Sequence, residues 1–283
     1  MKIGVTGASG FIGRHVISAL DHAGAQIVAI TRSRDRLRDV GSSVEVVEMD
    51  ITSSSEDCYE KVGRPDVLVH LAWDGLPNYK SLHHFRTELP NQYRFLEAMI
   101  GAGLPALLVT GTCFEYGKLS GPLTEDMPAH PTNPYGFAKD ALHRQLEFLS
   151  AAHPYRLSWL RLFYMYGDGQ PATSLYSKLR EAVARNQEVF GMSAGEQLRD
   201  YLPVSEVARS IAQLALNPVA AGTINICSGK PISVRTLVES WLARNGWKIT
   251  LGLGEYPYPD YEPMAFWGDR TKLDEVLASI KML

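Results

Sequence analysis

Short apolar runs alternate with amphipathic runs along the first two-thirds of the chain, and this alternation restricts the possible folds more than any other feature. The apolar runs predict strands at Lys2–Thr6, Gln26–Thr31, Val44–Glu48, Asp66–Leu71, Ala106–Thr110 and Arg156–Arg161. The runs between them predict helices at Phe11–Ala23, Tyr79–Ala102 and Ala138–Ala152. Nearly continuous apolar strands are typical of a parallel sheet that is covered by helices on both faces. The sequence therefore predicts a doubly wound α/β fold.

The alternation breaks after Arg161, where glycine and proline become frequent. One further helix is predicted near Leu175–Asn186 and one further strand at Thr223–Cys227. We expect residues 1–163 to form the sheet domain, with residues 201–227 returning to it. Residues 164–200 and 228–283 are expected to form a smaller C-terminal lobe that binds the substrate.

The composition excludes several classes of protein. With 45% hydrophobic residues and a net charge of −3, the chain lacks the basic balance that is typical of nucleic-acid binding. No apolar run approaches the roughly 20 residues that cross a bilayer, and no signal peptide is visible. The three cysteines form no CxxC motif, which favours reduced thiols. We expect a cytoplasmic protein that binds neither nucleic acid nor membrane.

A glycine-rich turn follows the first predicted strand. Thr6-Gly-Ala-Ser-Gly-Phe-Ile-Gly13 has the spacing GxxGxxG and opens the first predicted helix. Glycines allow a tight turn close to a pyrophosphate, and the amides of the helix N-terminus bind its charge. This position in an α/β chain predicts a Rossmann dinucleotide site. Its expected contacts are Gly7, Ser9, Gly10, Phe11, Ile12 and Gly13.

The end of the second strand indicates which dinucleotide binds. NAD sites usually place a carboxylate there for the ribose 2′-hydroxyl, but this chain reads Thr31-Arg32-Ser33. A guanidinium group binds a 2′-phosphate well, so Arg32 and Ser33 predict NADP(H), with a solvated basic loop as the alternative. Asp50 and Ile51 end the third strand. Asp50 is expected either to accept from the adenine amino group or to cap the next turn.

Tyr135 and Lys139 are one helical turn apart, which places a phenol and an ammonium group on one face. A cation beside a phenol lowers its pKa and suits it to exchange a proton with a carbonyl oxygen. A hydroxyl at the end of the fifth strand can hydrogen-bond the same oxygen. Thr110 and Thr112 both lie there.

At this point the chain resembles the extended short-chain dehydrogenase/reductases, also called the NAD-dependent epimerase/dehydratase family. The segments that carry the resemblance are TGASGFIG at 6–13, MDI at 49–51, HLA at 70–72, TGTCFEYG at 110–117, PLTED at 122–126, PYGFAK at 134–139, RLFYMYGDGQ at 161–170 and GEQLRDYLPVSEVA at 195–208. The resemblance implies that Tyr135 is the acid/base, that Lys139 also holds the nicotinamide ribose, and that Thr112 is the catalytic hydroxyl. It also places Leu71 and Ala72 in the cofactor pocket.

Within this family, the resemblance points to a 4-ketoreductase of a nucleotide-linked 4-keto-6-deoxy sugar. Cys113 and Phe114 stand where the dehydratases of the family carry Asp-Glu, which disfavours dehydration. Arg199 matches the arginine that binds the substrate diphosphate. The other residues expected to contact the substrate are Tyr164, where the family usually has Asn, Gln197, and Phe190, whose alternative role is a core aromatic.

Three other functions stay open. They are a 4-epimerase with bound NAD, a reductase of a ketone without a nucleotide, and a dinucleotide sensor without activity. No metal site is expected, because His83 and His84 point about 100° apart on a helix. The family often pairs two long helices across a two-fold axis. Apolar stripes on the corresponding helices here predict a homodimer; they contain Phe95, Leu96, Met99, Leu142, Leu146 and Leu149.

Overall fold

The structure is a computed structural model that describes residues 1–53 and 56–281. Its strands are β1 (Lys2–Thr6), β2 (Gln26–Thr31), β3 (Val44–Glu48), β4 (Val67–His70), β5 (Ala106–Thr112), β6 (Gly121–Leu123), β7 (Arg156–Leu162), β8 (Tyr164–Tyr166), β9 (Val189–Met192), β10 (Leu198–Pro203), β11 (Gly222–Ile226), β12 (Pro231–Ser233), β13 (Thr250–Leu253) and β14 (Phe266–Gly268). Its α-helices are α1 (Phe11–His22), α2 (Cys58–Lys61), α3 (Leu89–Gly101), α4 (Pro134–Ala152), α5 (Leu175–Ala184), α6 (Val204–Leu216), α7 (Val234–Asn245) and α8 (Thr271–Lys281).

Seven parallel strands form the central sheet, in the order β11-β7-β5-β4-β1-β2-β3. The predicted doubly wound fold is therefore confirmed. The chain leaves β1 in one direction to form β2 and β3, and it continues from β4 in the other direction. Such a reversal opens a crevice at the carboxyl ends of the strands, where α/β folds bind ligands.

Apolar side chains cover both faces of this sheet. Helices α1 and α6 pack on one face through residues such as Val16, Leu20 and Ile211. Helices α3 and α4 cover the other face, where Phe95 and Leu142 are fully buried. A separate cluster around Trp241 joins α5, α7 and β9 in the C-terminal lobe. The two faces of the sheet and the C-terminal part of the chain therefore have separate apolar clusters.

The last helix departs from the expected division of the chain. The sequence predicts residues 228–283 in the lobe, yet Leu273 and Ile280 of α8 are buried in the core of the main sheet. The helix packs on β11, the edge strand, because its apolar side covers an edge of the core that would otherwise be exposed. The remaining domain boundaries stay a prediction.

Two predicted helices have different boundaries. The segment 79–102 contains a π-helical turn at His84–Glu88 followed by α3, and Pro90 lies in the first turn of α3, where its missing amide hydrogen is tolerated. Helix α4 begins at Pro134 rather than at Ala138 because Asn133 caps it, accepting a hydrogen bond from the Gly136 amide at 2.8 Å. Among the described residues no helix has the length and apolarity to span a membrane. The cytoplasmic location stays a prediction.

Candidate active site

The glycine-rich turn has the shape that a dinucleotide requires. Gly7 has φ +65°, and a Cβ atom there would lie 2.8 Å from the amide nitrogen of Ala72. A Cβ atom at Gly13 would lie 2.2 Å from the carbonyl oxygen of Gly7. Both glycines are therefore required by close backbone approach, and α1 begins directly after the turn. The turn and the free amides at the start of α1 fit a pyrophosphate.

A pocket of about 220 Å³ opens beside this turn, at the carboxyl ends of β1 to β4; we call it the turn pocket. Eight residues predicted to contact the cofactor line it: Gly7, Ser9, Gly10, Arg32, Asp50, Ile51, Leu71 and Ala72. Ser33 lies outside this lining, at the N-cap of the 3-10 helix Arg34–Leu37. Several other residues of the lining were not predicted from the sequence, among them Trp73, Asp74, Glu88 and Gln92.

A second pocket of about 420 Å³, the central pocket, brings the three predicted catalytic residues together. Thr112 ends β5, and the early start of α4 places Tyr135 and Lys139 in its first two turns. All three side chains are buried. Phe11 and Ile12 line this pocket rather than the turn pocket. The volume lies within the roughly 300–1,000 Å³ of small-molecule sites.

The electrostatics of Tyr135 differ from the expectation. Burial raises the pKa of its phenol well above the ordinary value, and the nearby Tyr79 phenol and Glu115 carboxylate add to the increase. A hydrogen bond with the Thr112 side chain opposes the rise. The phenol is therefore not brought towards neutrality in this structure, because the cost of burying a phenolate exceeds any stabilisation from the neighbouring cation. The role of Lys139 in lowering this pKa stays a prediction.

Lys139 has partners that the sequence did not reveal. Its Nζ donates to the carbonyl oxygen of Thr110 at 2.8 Å and lies 3.9 Å from the centre of the Trp73 ring. Burial lowers the pKa of Lys139 to about 7. Trp73 lines both the turn pocket and the central pocket. This tryptophan therefore holds the ammonium group through a cation–π contact at the junction of the two pockets.

Glu115 fixes the position of Thr112 through a hydrogen bond to its backbone amide. Its carboxylate is fully buried and accepts hydrogen bonds from the Thr112 amide at 2.7 Å, from the Trp159 indole and from Arg161 at 2.8 Å. Residues 113–116 form a 3-10 turn that Thr112 caps. The Glu115 side chain consequently points into the protein, away from the central pocket, and fixes the end of β5.

The two candidate hydroxyls are distinguished by their surroundings. Thr110 donates to the carbonyl oxygen of His70 at 3.2 Å, whereas Thr112 faces Tyr135. We expect Thr112→Val to lower kcat by about 10²-fold, the effect of losing one donor to a developing oxyanion. Thr112→Ser should restore much of the rate. Thr110→Val is the matched control, and a larger loss of kcat with Thr110→Val than with Thr112→Val would reverse the assignment.

A third pocket of about 630 Å³, the lobe pocket, contains all four residues expected to contact the substrate: Tyr164, Phe190, Gln197 and Arg199. The Arg199 guanidinium is 3% exposed and donates to Glu262 at 2.8 and 3.1 Å. Its remaining nitrogen donates to the carbonyl oxygens of Leu198 and Met264. Glu262 also accepts from the Tyr164 hydroxyl. Arg199 therefore anchors the segment that contains Glu262, and its role in binding a diphosphate stays a prediction.

The three pockets adjoin one another. Leu71 and Trp73 line both the turn pocket and the central pocket, and Tyr164 and Thr173 line both the central pocket and the lobe pocket. Tyr135 and Lys139 thus line the pocket that lies between the other two. This arrangement suits two ligands whose reactive ends meet at the central pocket.

One group of possible metal ligands occurs among the described residues. Carboxylate and imidazole atoms of Glu115, Asp140 and His143 lie within 4.8 Å of one another. Arg161 already supplies a cation to Glu115, while Asp140 pairs with Arg144 at 3.0 Å. The absence of a metal cofactor stays a prediction.

Comparisons with known proteins agree with the observed fold and with the family that the sequence resembles. The sequence model of the NAD dependent epimerase/dehydratase family matches residues 3–227. The dTDP-6-deoxy-L-talose 4-dehydrogenase (NAD(+)) of Aggregatibacter actinomycetemcomitans is 33% identical over 95% of this chain and 99% of its own. A UDP-glucose 4-epimerase of Azospirillum brasilense is 31% identical over 84% of this chain and 76% of its own. The structure of MoeE5 in complex with UDP-glucose and NAD superposes with a TM-score of 0.82 at 27% identity, covering 98% of this chain and 92% of that one.

Proposed function

The chain belongs to the NAD dependent epimerase/dehydratase family, and on that basis we propose that it interconverts the 4-hydroxy and 4-keto forms of a nucleoside-diphosphate 6-deoxyhexose. The observation that carries the proposal is the position of Thr112, Tyr135 and Lys139 in the central pocket, which adjoins the turn pocket and the lobe pocket. The similarity to the 6-deoxy-L-talose 4-dehydrogenase supports the choice of sugar and position. Retention of Tyr135 and Lys139 argues against a sensor without activity.

We infer that the cofactor is NAD(H). The expected preference for NADP(H), which depended on Arg32, finds no support in the comparisons. The name of the 33% identical relative includes NAD(+), and the MoeE5 complex contains NAD. The turn at Gly7 and Gly13 fits a dinucleotide of either kind, so the selectivity between them depends on other residues of the turn pocket.

The reduction needs a hydride and a proton. When bound, the reduced nicotinamide supplies the hydride to the carbonyl carbon. Tyr135 transfers its phenolic proton to the carbonyl oxygen, and Thr112 hydrogen-bonds that oxygen as negative charge develops on it. Because burial raises the pKa of Tyr135, the phenol keeps its proton throughout the neutral range and is ready to donate it. In the reverse direction the same phenol must first lose its proton.

The proposal is tested by turnover in both directions. Purified protein is mixed with dTDP-6-deoxy-L-talose and NAD(+), and with a panel of nucleoside-diphosphate 4-keto-6-deoxyhexoses and NADH. We expect NADH to form in the first reaction and to be consumed with at least one ketone in the second. Binding of NADH without oxidation or reduction of any nucleotide sugar would contradict the proposal.

A 4-epimerase is the second candidate, favoured by the UDP-glucose 4-epimerase relative. An epimerase returns the hydride to the same substrate, so it shows no net change in NADH and keeps its cofactor bound. Protein purified with stoichiometric NAD that interconverts two 4-epimers would favour this alternative. Reduction of a simple ketone without a nucleotide would instead favour a reductase of ketones that carry no nucleotide.

A homodimer remains our proposal, but the residues that suggested it were wrongly assigned. Phe95, Leu96, Met99, Leu142, Leu146 and Leu149 are all buried in the core of a single chain. Phe137 and Phe148 of α4 are instead 50% and 80% exposed. These residues are eleven positions apart, so they lie on one face of the helix. We propose that this face contacts a second copy of the chain.

We expect light scattering to give a mass of twice the 31.3 kDa monomer, and Phe148→Glu to reduce it to the monomer mass. A charge buried in an interface without a partner is costly, whereas the exposed position tolerates the change within one chain. Exposed Phe137→Glu should have the same effect. A wild-type mass of 31.3 kDa would contradict the proposal, and a dimer that survives both substitutions would exclude this helix face.

A further inference from the structure

The turn pocket contains a carboxylate that comes from the segment after β4 and not from the end of β2. Asp74 lies in the segment after β4, 42 positions beyond Arg32, and both residues line the pocket. The Arg32 guanidinium and the Asp74 carboxylate are 3.8 Å apart, and their side chains are 60% and 64% exposed. The positive charge on which the expectation of NADP(H) depended therefore faces a negative charge in the same pocket.

Acidic residues outnumber basic ones in the lining of this pocket. Its basic residues are Arg32 and Arg36, and its acidic residues are Asp50, Asp74 and Glu88. The Asp50 carboxylate already accepts from the Thr52 amide and hydroxyl. A 2′-phosphate carries between one and two negative charges near neutral pH. Such a group would add negative charge to a pocket whose lining contains more acidic than basic residues.

A buried hydrogen-bond network holds Asp74 in place. The Glu88 carboxylate accepts from the Asp74 amide at 3.0 Å and from the Gln92 side chain at 2.8 Å. Gln92 in turn contacts His70 at 2.8 Å, and the other ring nitrogen of His70 is 2.9 Å from the Thr6 hydroxyl. Glu88, Gln92, His70 and Thr6 are all buried. This network connects the Asp74 backbone to the end of β1, immediately before Gly7.

We propose that Asp74 is the residue that selects NAD(H) over NADP(H). A carboxylate accepts a hydrogen bond from a ribose 2′-hydroxyl and repels a 2′-phosphate. It can do so from any strand or loop that brings it into the same pocket. The positive charge of Arg32 compensates the negative charge of Asp74 and does not bind a 2′-phosphate. The inference rests on the proposed function, because it requires a dinucleotide in the turn pocket.

The experiment measures binding rather than turnover. Calorimetric titrations with NADH and with NADPH are performed on the wild type, Asp74→Asn and Arg32→Gln. The control is Asp274→Asn, which removes the carboxylate of another Arg–Asp pair, formed by Asp274 of α8 with Arg270. We expect the wild type to prefer NADH by about tenfold or more, the order of a hydrogen bond to a charged group. Asp74→Asn should remove most of that preference, with tighter binding of NADPH and weaker binding of NADH.

Arg32→Gln should increase the preference for NADH, because the Asp74 carboxylate is then no longer balanced. Asp274→Asn should leave both affinities unchanged. Since Arg32 and Asp74 are exposed, the preference should decrease at higher salt. The inference is overturned if Asp74→Asn binds both dinucleotides with the wild-type ratio, or if Arg32→Gln abolishes NADPH binding that the wild type prefers. Failure of the wild type to bind either dinucleotide would instead refute the proposed function itself.

Discussion

Tyr135→Phe is expected to reduce kcat by about 10²–10⁴-fold, the range for loss of a general acid, while NADH binds with unchanged affinity. The substitution removes only the hydroxyl that carries the transferred proton. The aromatic ring keeps its contacts with Trp73 and His84, so the central pocket retains its shape. The measurement is single-turnover reduction of the nucleotide-sugar ketone, combined with calorimetric titration of NADH.

Two further Tyr→Phe substitutions make this result specific. Tyr155 donates its hydroxyl to the carbonyl oxygen of Leu146 at 2.7 Å, on the opposite end of α4 from the pocket, and Tyr155→Phe should leave kcat unchanged. Tyr79 is the competing phenol, because its ring centre is 5.7 Å from that of Tyr135 and it also lines the central pocket. If Tyr79→Phe lowers kcat by more than Tyr135→Phe does, the acid has been wrongly assigned.

The pH dependence of the two directions should differ. Because the pKa of Tyr135 is raised, the phenol stays protonated at neutral pH, and this favours reduction throughout the neutral range. Oxidation needs a phenol that has lost its proton, so its rate should increase with pH over the same range. Equal pH profiles for kcat in the two directions would argue against Tyr135 as the group that exchanges the proton.

The sequence was sufficient to predict the central sheet because local and global signals agree there. Strands β1, β2 and β3 have the predicted boundaries, since each lies between glycine-rich or polar turns. The position of Gly7 after β1 likewise follows from a local pattern. The predicted helix boundaries are wrong where a single residue decides where the helix begins, as at Pro90 in α3 and at the Asn133 cap of α4.

The site was predicted less completely, because its electrostatics depend on contacts between distant segments. Arg32 meets Asp74, and Arg199 meets Glu262, 63 positions away. In each case the sequence revealed the cation but not the carboxylate that balances it. A motif shared with the family indicates which residues approach the site. The net charge of the site, however, depends on which distant loops pack against those residues.

Lys139→Met is expected to weaken NADH binding and to lower kcat/KM by about 10²-fold or more, the order of effect of a group that acts in the chemical step. The side chain has two proposed roles, contact with the cofactor ribose and stabilisation of charge at Tyr135, so both binding and turnover should decline. Lys248→Met, at an exposed position, is the matched control and should change neither. Wild-type affinity and turnover in Lys139→Met would contradict both roles.

Lys139→Met should also stabilise the cofactor-free protein, and the increase in its free energy of unfolding should depend on pH. Burial lowers the pKa of Lys139 from 10.5 to about 7, so folding is opposed by the cost of burying its charge. That cost is complete below pH 7, decreases as pH rises from 7 towards 10.5, and vanishes when the lysine is neutral in both states. Methionine has no such cost and fills a similar volume. Thermal unfolding should therefore show a larger increase in Tm for Lys139→Met at pH 6 than at pH 9, and a lower Tm at pH 6 would mean that the hydrogen bond to Thr110 and the contact with Trp73 outweigh the cost of burial.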